Sequence, residues 1–136
     1  RKTVRVHQYQ LPKLLVHCLI LLMSFNVEAN DLTDTMLKEY QLKEPIPFSS
    51  DAGRLFWYKD NNGRSCTTCH TDSVLIKGRH ERTGKILEPM APSVNPERLT
   101  SRKKVNKWFL RNCKWTVGRE CTTKEKGNIL LWLSQQ

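Results

Sequence analysis

The apolar positions of this chain form one continuous run and then short clusters at helical spacing. Residues 14–25 read LLVHCLILLMSF, with no Lys, Arg, Asp or Glu among them. Beyond that run, Leu32, Met36, Leu37 and Tyr40 predict one amphipathic helix over residues 31–41, which Pro45 and Pro47 bring to an end. Ser49 or Ser50 can cap a second helix through residues 51–57, and Asn61-Asn62-Gly63 is a turn signal after it. Val105, Trp108, Phe109 and Asn112 stand at i, i+3, i+4 and i+7, so they share one face of a third helix, capped by Thr100 or Ser101. Lys103, Lys107 and Arg111, close to Lys104, are expected on a different face of it. A last helix opens with the capping-box pattern Thr122-Thr123-Lys124-Glu125 and runs through Ile129, Leu130, Trp132 and Leu133. Gly127 inside it either permits a close helix crossing or is a weak point. No apolar/polar alternation persists over five residues, so no strand is expected. Residues 71–99, with Gly78, Gly84, Pro89, Pro92 and Pro96, read as a loop wrapped on another surface. The fold class is all-α, with short helices joined by loops.

The first apolar run has its own meaning. Arg1, Lys2, Arg5 and Lys13 precede it, and Val27-Glu28-Ala29 follows with small residues at cleavage-type positions. That is the layout of a secretory signal peptide, assigned to residues 1–29. The run falls short of the ~20 residues of a comfortable membrane span, although an uncleaved segment would serve as an anchor. Cys18 lies within the run and reads as filler, not as a lipidation site. Residues 30–136 then make one small domain in an oxidising, periplasmic compartment. The whole chain carries a formal charge of +10, and residues 30–136 keep 19 basic against 12 acidic side chains. Such an excess suits an acidic protein partner or solubility. No nucleic-acid motif is present.

Candidate chemistry is concentrated in Cys66-Thr67-Thr68-Cys69-His70. C-x-x-C-H is the attachment signal for c-type haem. Thiols three residues apart lie on one side of a helical turn, where they can add to the two porphyrin vinyl groups. The adjacent histidine then reaches the iron as proximal ligand. A bare C-x-x-C would be ambiguous with a dithiol redox site or half of a zinc site, and the fused histidine decides between them. Cys113 and Cys121 are the remaining cysteines past the signal segment, and export predicts that they form a disulfide. The helices also suit a small class I-like cytochrome c built around one covalent haem. Gly53, Phe56 and Trp57 would meet Trp132 of the last helix, a role of core packing rather than chemistry.

The sixth iron ligand stays open at this level. Met90, in the Pro-rich segment Leu87-Glu88-Pro89-Met90-Ala91-Pro92, stands where an electron-transfer cytochrome would place one. His80 is a weaker candidate, and Lys114 reads as a surface charge. Asn112 shares the apolar face of the third helix, yet an asparagine near a helix end is also an ordinary cap.

The segments CTTCH, GRHERTGK, EPMAPSVNPERLTSRKKVNKWFLRNC and GRECTTKEKGNILLWL resemble the SHP-type (sphaeroides haem protein-like) oxygen-binding monohaem cytochromes c, over roughly residues 50–135. The resemblance implies covalent haem c on Cys66 and Cys69, His70 as proximal ligand and a Cys113–Cys121 disulfide. It implies Asn112 as a ferric sixth ligand that leaves on reduction, opening ferrous iron to oxygen, nitric oxide or carbon monoxide. Met90 stands where that family is expected to carry a non-ligating apolar residue. The implied partners are membrane-associated dihaem or b-type cytochromes. No catalytic acid/base or nucleophile constellation is apparent, so the expectation is an electron carrier and small-ligand-binding protein rather than an enzyme. The alternative is a simple electron-transfer cytochrome c with permanent His70/Met90 ligation.

Overall fold

The computed structural model describes residues 28–136, with backbone alone for residues 28–31. The elements are α1 (Glu28–Gln41), α2 (Ser50–Tyr58), α3 (Thr67–His70), β1 (Gly78–Arg79), β2 (Ile86–Leu87), α4 (Arg102–Val117) and α5 (Thr123–Ser134). The basic residues, apolar run and Cys18 of the expected signal peptide lie outside the described residues. Its last two positions, Glu28 and Ala29, open α1, which therefore begins three residues before the expected helix. Among the described residues no helix is long and apolar enough to cross a membrane.

Local chemistry sets the helix ends. The Ser49 side chain accepts from the Ala52 N–H, and Ser101 does the same for Lys104, so each supplies an acceptor that a helix start lacks. At α5, Thr122 Oγ1 accepts from Glu125 N–H while the Glu125 carboxylate accepts from Thr122 N–H, the reciprocal pair foreseen from the sequence. Gly118 ends α4 at φ 74.

The core forms where α2 crosses α5. At Gly53 a Cβ would collide with the Asn128 carbonyl and crowd Trp132 Cβ, so glycine lets the two backbones touch. The buried Asn128 amide adds a bond, its Oδ1 accepting from Ser49 N–H at 2.8 Å. Trp57 and Trp132 meet at 5.5 Å between ring centroids. They join Val74, Ala91, Ile129 and Leu133 in one cluster, and Met36, Val105 and Leu130 form a second, with Leu99 and Phe109 packed against both. Full burial of a side chain such as Leu130 contributes about 1.5–3 kcal/mol. Gly127 does not serve a helix crossing: the Phe48 ring, which belongs to no helix, sits on its bare Cα, where a Cβ would collide.

One further expectation is corrected. The loop over 71–99 contains a short antiparallel ladder pairing Gly78 with Leu87 and Arg79 with Ile86. Two residues per strand are too few to leave a period in the sequence. The four residues assigned to one face of α4 do share it, since all of them line one cavity. Along it Val105 is buried and Phe109 half-buried, whereas Trp108 and Asn112 are exposed. Cys113 and Thr116 are buried and line the same cavity.

Candidate haem site

The Cys66–His70 segment is a single turn of helix. His70 N–H donates to the Cys66 carbonyl at 3.1 Å and Thr71 N–H to the Thr67 carbonyl at 2.9 Å. The hydroxyl of Thr68 receives Ser65 N–H at 3.0 Å, closing the entry to the turn. Thr71 then leaves at φ 61, which turns the chain sharply away after the histidine. β1 lies directly on this turn: a Cβ at Gly78 would collide with the Cys69 carbonyl, and Glu81 N–H points at Cys69 Sγ from 3.4 Å.

Cys66, Cys69 and His70 all open onto one cavity of about 720 Å³. That is within the roughly 300–1,000 Å³ typical of cofactor and ligand sites. The wall behind His70 is aromatic, with Trp57 at 5.4 Å between ring centroids. Burial pushes the Cys66 thiol up to about 12. Burial, with the Arg98 charge second, pushes His70 down to about 4. The imidazole is therefore held neutral, the form that can ligate a metal. Arg98 is fixed beside it, its Nε donating to the Pro89 carbonyl at 2.7 Å and its Nη2 to the Glu88 carbonyl at 2.5 Å.

These residues fit a covalent haem. Two free thiols and a neutral imidazole share one face of a largely apolar cavity. The indole N–H of Trp57, in the cavity wall, is buried with no acceptor among the described residues. Buried donors are rarely left so, and an acceptor on a bound group would satisfy it.

The sixth-ligand candidates take different places. Met90 lines the cavity and is packed against the cluster of Trp57, Val74, Ala91, Ile129, Trp132 and Leu133. Its N–H, like that of Ala91, donates to the Val74 carbonyl. His80 reaches the cavity from the hairpin with Nδ1 already accepting Thr83 N–H at 3.2 Å. Lys114 pairs with Glu120 at 3.3 Å. Asn112 lies five residues inside the end of α4, so it is not a helix cap, and it faces the cavity. Cys113 beside it is bonded to Cys121, at the start of α5. The basic stripe is not separate from this face either. Arg111 lines the cavity, and Lys107 and Arg111 both stand over the Trp108 ring.

Several contributors left no separate signal in the sequence. Arg98 acts through two carbonyls of a distant loop segment. Arg64 meets Trp115 across 51 residues of chain. The signal that existed was the spacing of Trp108 and Trp115 about Asn112, at i−4 and i+3.

Comparison with known proteins agrees with this geometry. Residues 43–133 match the family described as Domain of unknown function (DUF1924). The chain is 40% identical over 106 residues to the cytochrome c-type protein SHP of Cereibacter sphaeroides, covering 74% of this chain and 81% of that protein. The structure of oxidised SHP, described as an oxygen-binding cytochrome c, superposes with a TM-score of 0.72 at 37% identity, covering 76% of this chain and 96% of that one. The solution structure of cytochrome c'' from Methylophilus methylotrophus gives a TM-score of 0.62 at 29% identity, covering 79% and 93%. This is a small c-type cytochrome with covalently bound haem c and its iron. The chain belongs to the family of SHP-type cytochromes c.

Proposed function

We propose that the protein is an exported, periplasmic electron carrier whose reduced iron admits oxygen or nitric oxide after Asn112 gives up the sixth position. In this reading Cys66 and Cys69 hold the haem through thioethers, and His70 is the proximal ligand. The bound haem supplies a one-electron couple and, at an open coordination position, a site for a diatomic molecule. The observation that carries the reading is the Asn112 carboxamide. It faces the cavity from the middle of α4, with no hydrogen-bond partner among the described residues. A neutral oxygen donor suits ferric iron better than ferrous iron, so reduction favours its departure. The Cys113–Cys121 bond ties the backbone next to Asn112 to the start of α5, which limits how far the side chain can travel. Met90, by contrast, is packed against the Trp57–Trp132 cluster, with its backbone N–H bonded to the Val74 carbonyl.

The relatives lend support. SHP is described as binding oxygen, and the cytochrome c'' structure concerns haem-ligand detachment. Absorption spectra of both oxidation states, with and without carbon monoxide, test the reading. Asn112→Ala should open the ferric site to exogenous ligands, and Met90→Leu should leave both states unchanged. If Met90→Leu removes a sulfur-to-iron charge-transfer band while Asn112→Ala is silent, the protein is a simple electron carrier with His70/Met90 ligation.

A further inference from the structure

Asn112 is not alone on the cavity face of α4. Trp108 and Trp115 stand at i−4 and i+3 from it, the two spacings at which side chains adjoin on a helix. Both indoles line the same cavity. Each is also held in place by a cation. Lys107 Nζ is 4.6 Å from the Trp108 ring centroid and the Arg111 guanidinium 5.9 Å from it. The Arg64 guanidinium lies 5.1 Å from the Trp115 ring centroid, and its Nη1 donates to the Trp115 carbonyl at 3.3 Å. Arg64 is two residues before Cys66, so this pair fastens the far end of α4 to the haem-attachment turn.

We propose that Trp108 and Trp115 form a size filter around Asn112, restricting the position it vacates to diatomic ligands. The proposal rests on the reading of Asn112 as the labile ligand. When the carboxamide withdraws, the space it leaves is bounded by an indole on either side along the helix. A diatomic molecule fits the volume of the departed group. A ligand with an alkyl tail must displace an indole, and that breaks the cation–π contacts on Trp108 or the Arg64 contacts on Trp115. Lys107, Arg111 and Arg64 are positioning residues, acting through the indoles. Trp108 lies on the turn before Asn112 and Trp115 on the turn after it, both lining the cavity.

The test uses haem-loaded protein carrying Asn112→Ala, so that the position is open in every sample. Ferrous protein is titrated with carbon monoxide, methyl isocyanide and n-butyl isocyanide, and binding is read from absorption spectra. Adding Trp108→Leu or Trp115→Leu should raise butyl relative to methyl affinity by about tenfold while carbon monoxide affinity stays within about twofold, the range expected for steric discrimination by methylene groups. Arg64→Gln and Lys107→Gln, both at exposed positions, should shift the ratio in the same direction by less and guard against a misfolded tryptophan variant. An unchanged butyl-to-methyl ratio in all four variants overturns the filter. An equal rise for all three ligands also overturns it, since that is general loosening. A ferric spectrum unaltered by Asn112→Ala removes the labile-ligand reading, and the filter with it. A clear Asn112→Ala effect with an unchanged ratio removes the filter alone.

Discussion

His70 concentrates the residue-scale physics of this protein. Its neighbours exclude water and place the Arg98 cation close by, so the folded chain resists protonating the ring until about pH 4. The unfolded chain takes up that proton near the ordinary value of 6.5. Between these values the unfolded state binds more protons, so stability rises with pH and is lost as pH falls from 6.5 towards 4. Iron bound to the same imidazole would oppose protonation further and leave the sign unchanged. The urea midpoint should therefore fall between pH 7 and pH 4.5, and His70→Gln should flatten that dependence. A midpoint independent of pH over this window would show that His70 is not held neutral by its surroundings. The sequence displayed His70 through its motif. It did not display Arg98, whose nearness depends on the carbonyls of Glu88 and Pro89.

At the scale of elements, α4 is anchored at several points. Ser101 caps its start, and Arg102 grips Glu39 of α1 through two bonds at 2.6 and 2.9 Å. The disulfide fixes its later turns to the beginning of α5. Replacing both Cys113 and Cys121 by Ser should cost about 2–4 kcal/mol in chemical denaturation. It should also speed ligand exchange at the iron, because the backbone beside Asn112 loses its tether. Unaltered exchange kinetics in a destabilised protein would mean that the bond serves stability alone. The capping box at α5 was legible because its signal is four residues long. Thr122→Ala should weaken that helix start by about 1 kcal/mol, read as a lower thermal midpoint. The hairpin was illegible for the opposite reason. Its ladder is fixed by contact with Cys69 and His70, through Gly78, and not by any pattern of its own.

Across the whole molecule, charge is distributed unevenly. α4 carries six basic side chains and no acidic one. Arg102 and Lys114 are paired with glutamates, which leaves Lys103, Lys104, Lys107 and Arg111 free of ion pairs among the described residues. Lys104 and Arg111 line the cavity and Lys107 stands against the Trp108 ring of its wall, so an acidic redox partner docking here would bring its own centre close to haem. Electron transfer with the native reductant should slow as salt rises, over a screening length of about 10 Å at 0.1 M. Charge reversal at Lys103, Lys107 and Arg111 should remove most of that salt dependence. A rate insensitive to both changes would place the docking surface elsewhere.

The sequence by itself determined what depends on neighbours a few residues apart. The C-x-x-C-H turn, the helix starts at Ser49 or Ser50, at Thr100 or Ser101 and at Thr122, the helical spacing and the excess of basic residues are all of this kind. Tertiary structure alone decided which positions along a helix face are covered by protein. Val105 and Asn112 share a helical stripe in the sequence and both line the cavity, yet Val105 is buried beside Met36 and Leu130 while Asn112 is exposed. Likewise Met90 and Asn112 were both eligible as ligands by residue chemistry. Their surroundings differ in the fold, where Met90 is packed against the cluster at the α2–α5 crossing and Asn112 stands exposed on α4. Periodicity specifies that a side is apolar, but not what will cover it, because that depends on contacts between residues far apart in the chain.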